Sequence, residues 1–283
     1  MTTIIKIITA TLLSAVLLTS CSDVIDVDVQ EADSRLVIEA SLDWEKGTIG
    51  NNQSIKLSES TSYFETTTNT SVTNAAVRVV NDVDASEFVF THEGNGVYST
   101  NSFVPVVNNS YTLEVVYNGE TYTANETLTS VTDIIDINQS IEDGFNDEEL
   151  EVNVVFVDPE DEENYYLFKF QKQGDLYPSL EDGNDEFVDG NEITWWYEKE
   201  EDEDTDEIEA FQPGDIVDIS FFGISESYQN YMSILIEQLE GGGPFSTTPV
   251  PLKGNCINIT TSDNYAFGYF RLTQVVKASY IFQ

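Results

Sequence analysis

The sequence feature that most constrains the fold is a run of alternating apolar residues within residues 110–128. Its apolar members occupy every second position: Tyr111, Leu113, Val115 and Tyr117. In an extended strand these side chains share one face, because successive side chains point to opposite sides of a sheet. Asn118-Gly119 follows directly, and this dipeptide is the preferred composition of a two-residue hairpin turn. The stretch therefore predicts a β-hairpin with one apolar face.

Shorter segments of similar character fill the chain from Arg35 to this hairpin, with turn residues between them. We predict strands at residues 36–42, 53–60, 75–80, 87–92 and 96–100. Short strands at this spacing are typical of an antiparallel sandwich. Residues 35–129 are therefore predicted to form an immunoglobulin-like β-sandwich.

The second half of the chain, residues 130–283, is predicted to be another β-rich domain, either a sandwich or a barrel. The regular spacing ends within residues 129–150, where an acidic cluster at residues 142–149 marks a domain boundary. Strands are predicted at residues 151–157, 164–170, 193–197 and 215–224, with a closing pair of strands at residues 265–282. The fold class is thus mainly β.

One segment, at about residues 225–240, has the pattern of an α-helix. Its apolar side chains recur at helical spacing: Tyr228, Tyr231, Leu235 and Leu239. Ser225 can cap the start of this helix, and the run Gly241-Gly242-Gly243-Pro244 is predicted to end it. We therefore predict one helix in the C-terminal domain.

The N-terminus has the composition of a lipoprotein signal peptide. Residues 1–20 carry one charge, Lys6, before an apolar run that is too short to span a bilayer as a finished helix. The segment leads into Leu18-Thr19-Ser20-Cys21, which is the pattern of a lipobox. We predict cleavage before Cys21, a diacylglycerol on its thiol, and an acidic tether over residues 21–34. The alternative is an ordinary signal peptide in which Cys21 has no special role.

The charge of the chain limits its partners. It contains 52 acidic residues against 11 lysine and arginine residues, so its formal net charge is −41. The resulting field repels nucleic acid and anionic lipid, so no nucleic acid is expected as a partner, and the membrane is reached only through the lipid anchor. Hydrophobic residues make up 40% of the chain, which is enough to bury a core.

Residues for the common catalytic sites are scarce. His92 is the only histidine, and a lone strand histidine is more often structural than part of a Ser-His-Asp site. Cys256 is expected to be a buried strand residue, and one histidine with one available cysteine cannot supply a usual zinc site. Carboxylate pairs for glycoside hydrolysis are too numerous for any one of them to be singled out. We therefore predict a protein that is not an enzyme and that requires no cofactor.

Calcium is the metal best matched to so many oxygen ligands. The densest set of candidate ligands lies within residues 181–192 and comprises Asp182, Asn184, Asp185, Asp189 and Glu192. The set fails as an EF-hand, because a loop that starts at Asp185 puts Phe187 where the third-position ligand is needed. We expect a solvated turn here, with only weak calcium association.

Nine carboxylates occur within residues 198–209. Their mutual repulsion favours an extended loop, and multivalent cations would relieve that repulsion at several carboxylates together. We therefore predict calcium association in the millimolar range at this acidic run.

Three large aromatic residues, Trp195, Trp196 and Tyr197, come directly before the acidic run. In a strand, Trp195 and Tyr197 share one face and Trp196 points to the other. We assign Trp196 to the core. Trp195 and Tyr197 are then the candidate ligand contacts, because an exposed ring can stack on a ligand.

Several motifs, in their order along the chain, point to one family. They are the lipobox at Cys21, the strand Arg35-Leu36-Val37-Ile38-Glu39, the hairpin of residues 117–122, Asp158-Pro159 with Asn164-Tyr165-Tyr166, Tyr228 and Tyr231, Gly243-Pro244-Phe245-Ser246, Gly254-Asn255, and Ala266-Phe267-Gly268-Tyr269-Phe270. The sequence resembles Bacteroidetes outer-membrane lipoproteins that share a domain of unknown function and are often encoded beside a TonB-dependent transporter. Two features depart from that pattern: Ala40 stands where a glycine is usual, and the acidic run is longer.

The resemblance implies an outer-membrane lipoprotein and supplies no catalytic residues. Ser22-Asp23, with Asp26 and Asp28, resembles the acidic signal that directs such lipoproteins to the cell exterior. We expect an accessory or substrate-capture partner of a TonB-dependent transporter in nutrient uptake, with a small-molecule, peptide or glycan ligand. Two alternatives remain open: an envelope polysaccharide hydrolase with a carboxylate pair, and a structural or adhesive surface module.

Overall fold

The computed structural model describes residues 33–62, 69–144, 146, 148–199, 201–202, 207–208, 210–240 and 250–283. The signal peptide, Cys21 and the acidic signal after it lie outside the described residues. So do the predicted glycine stop of the helix and half of the acidic run at residues 198–209. Within the described chain, no helix is long and apolar enough to cross a lipid bilayer.

The described residues form seventeen strands and one helix. The first seven strands are β1 (Leu36–Glu45), β2 (Gln53–Glu59), β3 (Ala76–Asn81), β4 (Glu87–Gly94), β5 (Val97–Thr100), β6 (Ser110–Tyr117) and β7 (Glu120–Thr127). The later elements are β8 (Ile134–Ser140), β9 (Glu151–Val157), β10 (Tyr165–Lys172), β11 (Ser179–Asn184), β12 (Glu192–Tyr197), β13 (Glu201–Asp202), β14 (Glu207–Ile208), β15 (Ile216–Ile224), α1 (Glu226–Glu240), β16 (Ile257–Asn258) and β17 (Phe267–Ile281).

Strands β1 to β7 build a sandwich of two sheets around one apolar core. One sheet contains β1, β2 and β5, and the other contains β3, β6 and β7, with β16 at its edge. Strand β4 joins them, because its first half pairs with β3 and its second half pairs with β5. Alternate residues of both sheets fill the interior, among them Ile38, Leu57, Val79 and Leu113. The predicted immunoglobulin-like sandwich is confirmed.

The hairpin predicted within residues 110–128 is formed by β6 and β7. Tyr111, Leu113 and Val115 are fully buried in this core, and Tyr117 packs against it. Asn118 and Gly119 have φ values of 50° and 81°, the left-handed pair that a tight hairpin turn requires. Both the turn and the buried face are therefore as predicted.

Strand β17 is a single strand of 15 residues, so the predicted closing pair of strands is wrong. Its first part runs parallel to β1, from Val37 opposite Phe267 to Glu45 opposite Val275. Its second part runs antiparallel to β15. The chain does not turn back, because residues 269–282 contain no glycine, proline, asparagine or aspartate to form a turn.

The C-terminal half has three layers. A sheet of β11, β10, β15 and the end of β17 lies in the middle. Phe168, Phe170 and Phe221 face the small sheet of β12, β9 and β8 on one side. The intervening residues Leu167 and Phe222 face α1 on the other side. The predicted β-rich region with one helix is confirmed as a sandwich that carries the helix on its outer face.

The helix α1 begins where the sequence predicts. The Ser225 hydroxyl accepts a hydrogen bond from the backbone N of Tyr228 at 3.2 Å, which is an N-cap interaction. Tyr228 and Met232 are buried against the middle sheet, whereas Leu239 is 70% exposed. The apolar face of the helix therefore ends before its last turn.

Ser34–Gln283 is one compact unit. Its apolar cores divide near residue 129, but Phe270 and Leu272 of β17 belong to the first core while Val276 and Tyr280 pack against the second. The domain boundary at residues 129/130 stays a prediction, because one strand serves both sides of it.

Candidate functional site

Two loops meet at one edge of the C-terminal sandwich. The first follows β9 at Asp158, and the second joins β11 to β12. Backbone hydrogen bonds tie the loops together, from Asp158 N to Asn191 O at 2.9 Å and from Asp185 N to Asn164 O at 3.2 Å. Strands β9 and β12 pair directly, so both loops are held by regular sheet structure.

Three carboxylates from these loops lie close together. An oxygen atom from each of Asp158, Asp185 and Asp189 lies within 4.8 Å of one from each of the other two. Asp158 and Asp185 are buried, and Asp189 is exposed. We call this set the aspartate cluster. Carboxylate oxygens at such spacing are the ligands that hard divalent cations prefer.

Hydrogen bonds fix the orientation of each carboxylate. Asp158 accepts hydrogen bonds from the Tyr166 hydroxyl and from the backbone N of Gly190 at 3.0 Å. Asp185 accepts one from the backbone N of Asn164 at 2.9 Å. Because these donors are held by the surrounding backbone and core, the aspartate cluster is preorganised.

Tyr166 supports Asp158 as a permanent donor. Burial, followed by the hydrogen bond to Asp158, raises the pKa of Tyr166 above its usual range. The phenol therefore keeps its proton throughout the physiological pH range and continues to donate to the carboxylate.

Two members of the aspartate cluster, Asp185 and Asp189, line an acidic cavity of about 540 Å³. Seven of its nine lining residues are carboxylates: Asp161, Glu162, Glu163, Asp185, Glu186, Asp189 and Glu226. Tyr165 and Asn184 complete the lining. Like charges that surround a concave surface concentrate cations, so the acidic cavity suits a cationic ligand.

The structure brings together part of the set predicted as calcium ligands. Asp185 and Asp189 belong to the aspartate cluster, and Asn184 lines the acidic cavity. Asp182 lies elsewhere and accepts a hydrogen bond from the Ser233 hydroxyl of α1 at 2.6 Å. Glu192 is exposed at the start of β12. The ligand role of all five residues stays a prediction.

The predicted turn at residues 181–185 is wrong in part, because Ser179–Asn184 forms the edge strand β11. The polar sequence of this strand gave no alternation to detect. Sequence reasoning also missed Asp158, which joins Asp185 only through the fold. Its one local signal is that Asp158-Pro159 ends a strongly apolar strand.

The assignment of the aromatic triplet is corrected by the structure. Tyr197 is buried and stacks on Phe170 at 4.4 Å between ring centroids. Trp195 stacks on Phe168 at 4.7 Å. Trp196, assigned to the core, lies on the opposite face of β12 across from Asn153. The predicted alternation is correct, but the strand turns Trp195 and Tyr197, and not Trp196, towards the core.

Tyr197 also lines a small cavity of about 210 Å³ between β11 and the helix, with Ile236 and Leu239. Trp195 is partly buried, and its Nε1 donates to Glu181 at 2.5 Å. Ligand contact by Trp195 and Tyr197 stays a prediction.

The two residues with nucleophilic or acid–base potential have structural surroundings. His92 of β4 lies beside Tyr98 of β5, with the two rings tilted and their centroids 5.2 Å apart. Cys256 is buried as predicted, but it lies directly before β16 and not within a strand, and its burial raises the pKa of its thiol to about 12. A thiol with such a pKa is almost entirely protonated at neutral pH and is a poor nucleophile.

A larger cavity of about 790 Å³ lies against β1, β2, β4 and β5. Hydroxyl and amide side chains form most of its lining, including Ser54, Thr91, Ser99 and Asn101. It contains no aromatic ring and no cluster of buried charges. The acidic cavity is the stronger candidate site, because buried and oriented charged groups converge there.

A family model described as a domain of unknown function, DUF4249, matches residues 22–279. The chain belongs to the DUF4249 family. The match extends over both halves of the fold, so β17 and the helix are parts of the family domain as much as the N-terminal sandwich is. No curated protein matches the chain.

Two solved structures are distantly similar to parts of this DUF4249 chain. A DUF4785 family protein from Legionella pneumophila shares 14% identity, with a TM-score of 0.26 over 69% of this chain and 54% of that one. A two-domain fibronectin type III segment of chicken tenascin shares 14% identity, with a TM-score of 0.22 over 68% of this chain and 91% of that one. The chain thus spans about half the length of the Legionella protein. The strand pairing of this chain itself defines its fold.

Proposed function

We propose that this DUF4249 protein is a non-catalytic, lipid-anchored lipoprotein of the outer membrane that faces the cell exterior. It captures a cationic substrate and presents it to a TonB-dependent transporter in nutrient uptake. The lipobox at Cys21 and the acidic residues after it support the proposed cellular location. The resemblance to Bacteroidetes lipoproteins supports both this location and the transporter as partner.

One observation carries the capture role, which is the acidic cavity over the aspartate cluster. Its exposed carboxylates attract a cation over a Debye length of roughly 8 Å at physiological ionic strength. The buried carboxylates of the adjoining aspartate cluster, Asp158 and Asp185, are already oriented by backbone donors, so a ligand would lose little affinity to reorganisation of the site.

Co-purification tests the partnership. The tagged lipoprotein is isolated from detergent-solubilised outer membranes, both under gentle conditions and after crosslinking, beside an unrelated tagged lipoprotein of the same membrane. We expect a large β-barrel protein with the DUF4249 protein and not with the control. Recovery of the lipoprotein alone under both conditions would contradict the proposal.

The orientation has a separate test. Protease added to intact cells should remove the protein, while a periplasmic marker stays intact. Protection on intact cells, with digestion only after lysis, would place the protein on the periplasmic side.

The hydrolase alternative is tested by incubating the purified protein with a panel of glycans. Release of reducing ends that is lost in acid-to-amide variants of the acidic cavity would replace capture with catalysis as the role of that cavity.

A further inference from the structure

The outer face of the small sheet carries polar side chains that are buried. The inner face of β9 packs into the core through Val152, Val154 and Phe156. Glu151 and Asn153 alternate with these residues, so they face the opposite side. Glu151 is nevertheless 0% exposed and Asn153 is 2% exposed. A charged residue is almost never buried this completely unless it has a partner.

Glu151 is held by the end of β8 and by the turn that follows it. Its Oε1 accepts hydrogen bonds from the Ser140 hydroxyl, from Glu142 N at 3.1 Å and from Asp143 N at 2.8 Å. Its other oxygen, Oε2, is buried and has no hydrogen-bond donor among the described residues. No lysine or arginine in the described part of the chain forms an ion pair with Glu151. A buried carboxylate oxygen in this state is strongly unfavourable.

A second carboxylate points to the same place. In the register of β9 and β12, Tyr197 is opposite Val152, so Glu198 follows opposite Glu151. Glu198 is 8% exposed. A Cβ on Gly144 would lie 2.5 Å from Glu151 Oε2 and 2.3 Å from Glu198 Oε2, so both oxygens converge above this glycine. Like charges directly opposite each other in a sheet repel.

We propose that Glu151 and Glu198 bind a divalent cation above Gly144, and that the cation is calcium. A ligand is indicated by Oε2 of the fully buried Glu151, which has no hydrogen-bond donor among the described residues and is aimed at Glu198. A cation at this point supplies the missing partner and turns the repulsion between the two carboxylates into shared attraction.

The surroundings match calcium better than a softer metal. Asn153 Oδ1 is also buried without a donor, while its Nδ2 donates to the Ser140 hydroxyl at 2.6 Å. The proposed ligands are carboxylate oxygens, with an amide and a hydroxyl oxygen on the same face of the small sheet, and calcium accepts such oxygens in variable geometry. Gly144 leaves the space that such an ion needs, because any side chain there would collide with both carboxylates.

This cation site is separate from the acidic cavity. Glu151 begins β9 and Asp158 follows its end, so the two carboxylates lie roughly 20 Å apart along the strand. The inference therefore stands or fails independently of the proposed capture role. Its structural effect is to hold β9, β12 and the turn after β8 together.

The test is a calcium titration of the full-length protein in detergent, followed by calorimetry and by thermal unfolding at constant ionic strength. We expect one calcium ion per chain with a Kd of roughly 10⁻⁴ M or below, and a rise in Tm that sodium chloride does not reproduce. Glu151→Gln should abolish both effects. Glu198→Gln is the second variant, should the first fail to fold.

Asp189→Asn is the matched control, because it removes one carboxylate from the aspartate cluster and leaves Glu151 intact. Tryptophan-sensitised terbium emission gives a second readout, since Trp196 lies on the same face of β12 as Glu198. We expect the Asp189→Asn variant to show this terbium emission and to lose it when calcium displaces the terbium. The Glu151→Gln variant should show no such emission. The proposal is overturned if the Asp189→Asn substitution abolishes calcium binding, or if the wild-type protein binds no calcium.

Discussion

Arg271 of β17 and Asp43 of β1 form an ion pair across the parallel strand pairing, with Arg271 Nη2 2.5 Å from Asp43 Oδ1. Arg271 is only 7% exposed, and its guanidinium also donates to the Tyr228 hydroxyl of α1 at 3.2 Å. It lies 4.8 Å from the ring centroid of Phe222. One arginine therefore links the N-terminal sandwich, the strand shared by both halves and the helix.

We expect Asp43→Asn to destabilise the protein by about 2 kcal/mol. Loss of one partner from a buried pair leaves the other charge uncompensated, and the value is reduced here because the Asp43 side chain is about one-third exposed. Urea unfolding measures the effect. The control is Glu39→Gln on the same strand, which removes an exposed pair with Lys56 and should change stability by less than about 0.5 kcal/mol. Equal effects of the two variants would contradict the prediction.

Glu126 near the end of β7 is expected to destabilise the fold as pH rises. Burial raises the pKa of Glu126, although Thr127 N, the Ser225 hydroxyl and the Tyr269 hydroxyl all donate to it. Between the unfolded pKa and this raised pKa the folded state binds more protons, so stability falls with rising pH across that window.

Glu126→Gln removes this part of the pH dependence. The variant should gain stability relative to the wild type as pH increases from about 4.5, and the gain should level off above the raised pKa. Denaturant unfolding at a series of pH values measures the difference. A difference that is constant with pH would show that Glu126 titrates alike in the folded and unfolded states.

Glu120, at the start of the same strand, provides the opposite case. The hydrogen bond from the Tyr122 hydroxyl is the largest of the effects that lower the pKa of Glu120. The stabilisation of the folded state by ionised Glu120 is therefore present above the pKa of the unfolded chain. It is lost as pH falls through the lowered pKa of the folded state. In the same unfolding series, Glu120→Gln should lose stability relative to the wild type at neutral pH and approach it in acid.

Cys256 should resist alkylation in the native protein. With a pKa raised to about 12, its thiolate fraction at pH 8 is on the order of 10⁻⁴, and the side chain is also buried. Iodoacetamide should label it only after unfolding in urea, which mass spectrometry detects. Rapid labelling without denaturant would contradict the burial of Cys256.

The acidic cavity should bind a polyamine through its charge. Glu162→Gln with Glu163→Gln should weaken spermidine binding about five-fold, because two exposed carboxylates at the cavity together contribute about 1 kcal/mol. The control, Glu237→Gln with Asp263→Asn, makes the same change in net charge outside the cavity. Calorimetry at fixed ionic strength compares them, and equal losses would mean that net charge, not the cavity, attracts the ligand.

The acidic run at residues 198–209 should bind calcium only weakly, with a Kd on the order of 10⁻⁴ to 10⁻³ M. In the Glu151→Gln background, sodium chloride at equal ionic strength should largely reproduce the remaining thermal shift, because screening relieves the same repulsion. A stoichiometric micromolar site that survives in that background would contradict this prediction.

The strands and the helix that were predicted correctly are those whose patterns lie within a short stretch of sequence. In β6–β7, alternation and Asn118-Gly119 determine both the buried face and the turn. In α1, helical spacing and the Ser225 cap do the same. These elements depend on residues that are close in sequence, so their patterns can be detected without the fold.

The misplaced features depend on long-range pairing. Alternation put Trp195 and Tyr197 on one face, but only the position of the middle sheet decides that this face is the inner one. The aspartate cluster forms because Asp158 and Asp185 lie in loops of paired strands. Strand β11 is polar and is defined by its pairing with β10, not by its own composition.

Strand β17 also sets the order in which the protein can mature. Val37 is among the first residues of the described fold to be synthesised, yet its neighbour in the sheet, Phe267, is among the last. Until β17 arrives, β1 has an open edge, and the sandwich around it lacks Phe270 and Leu272. The sandwich therefore stays open at β1 during synthesis, and both halves of the fold close only when β17, the last of the described strands, has been made.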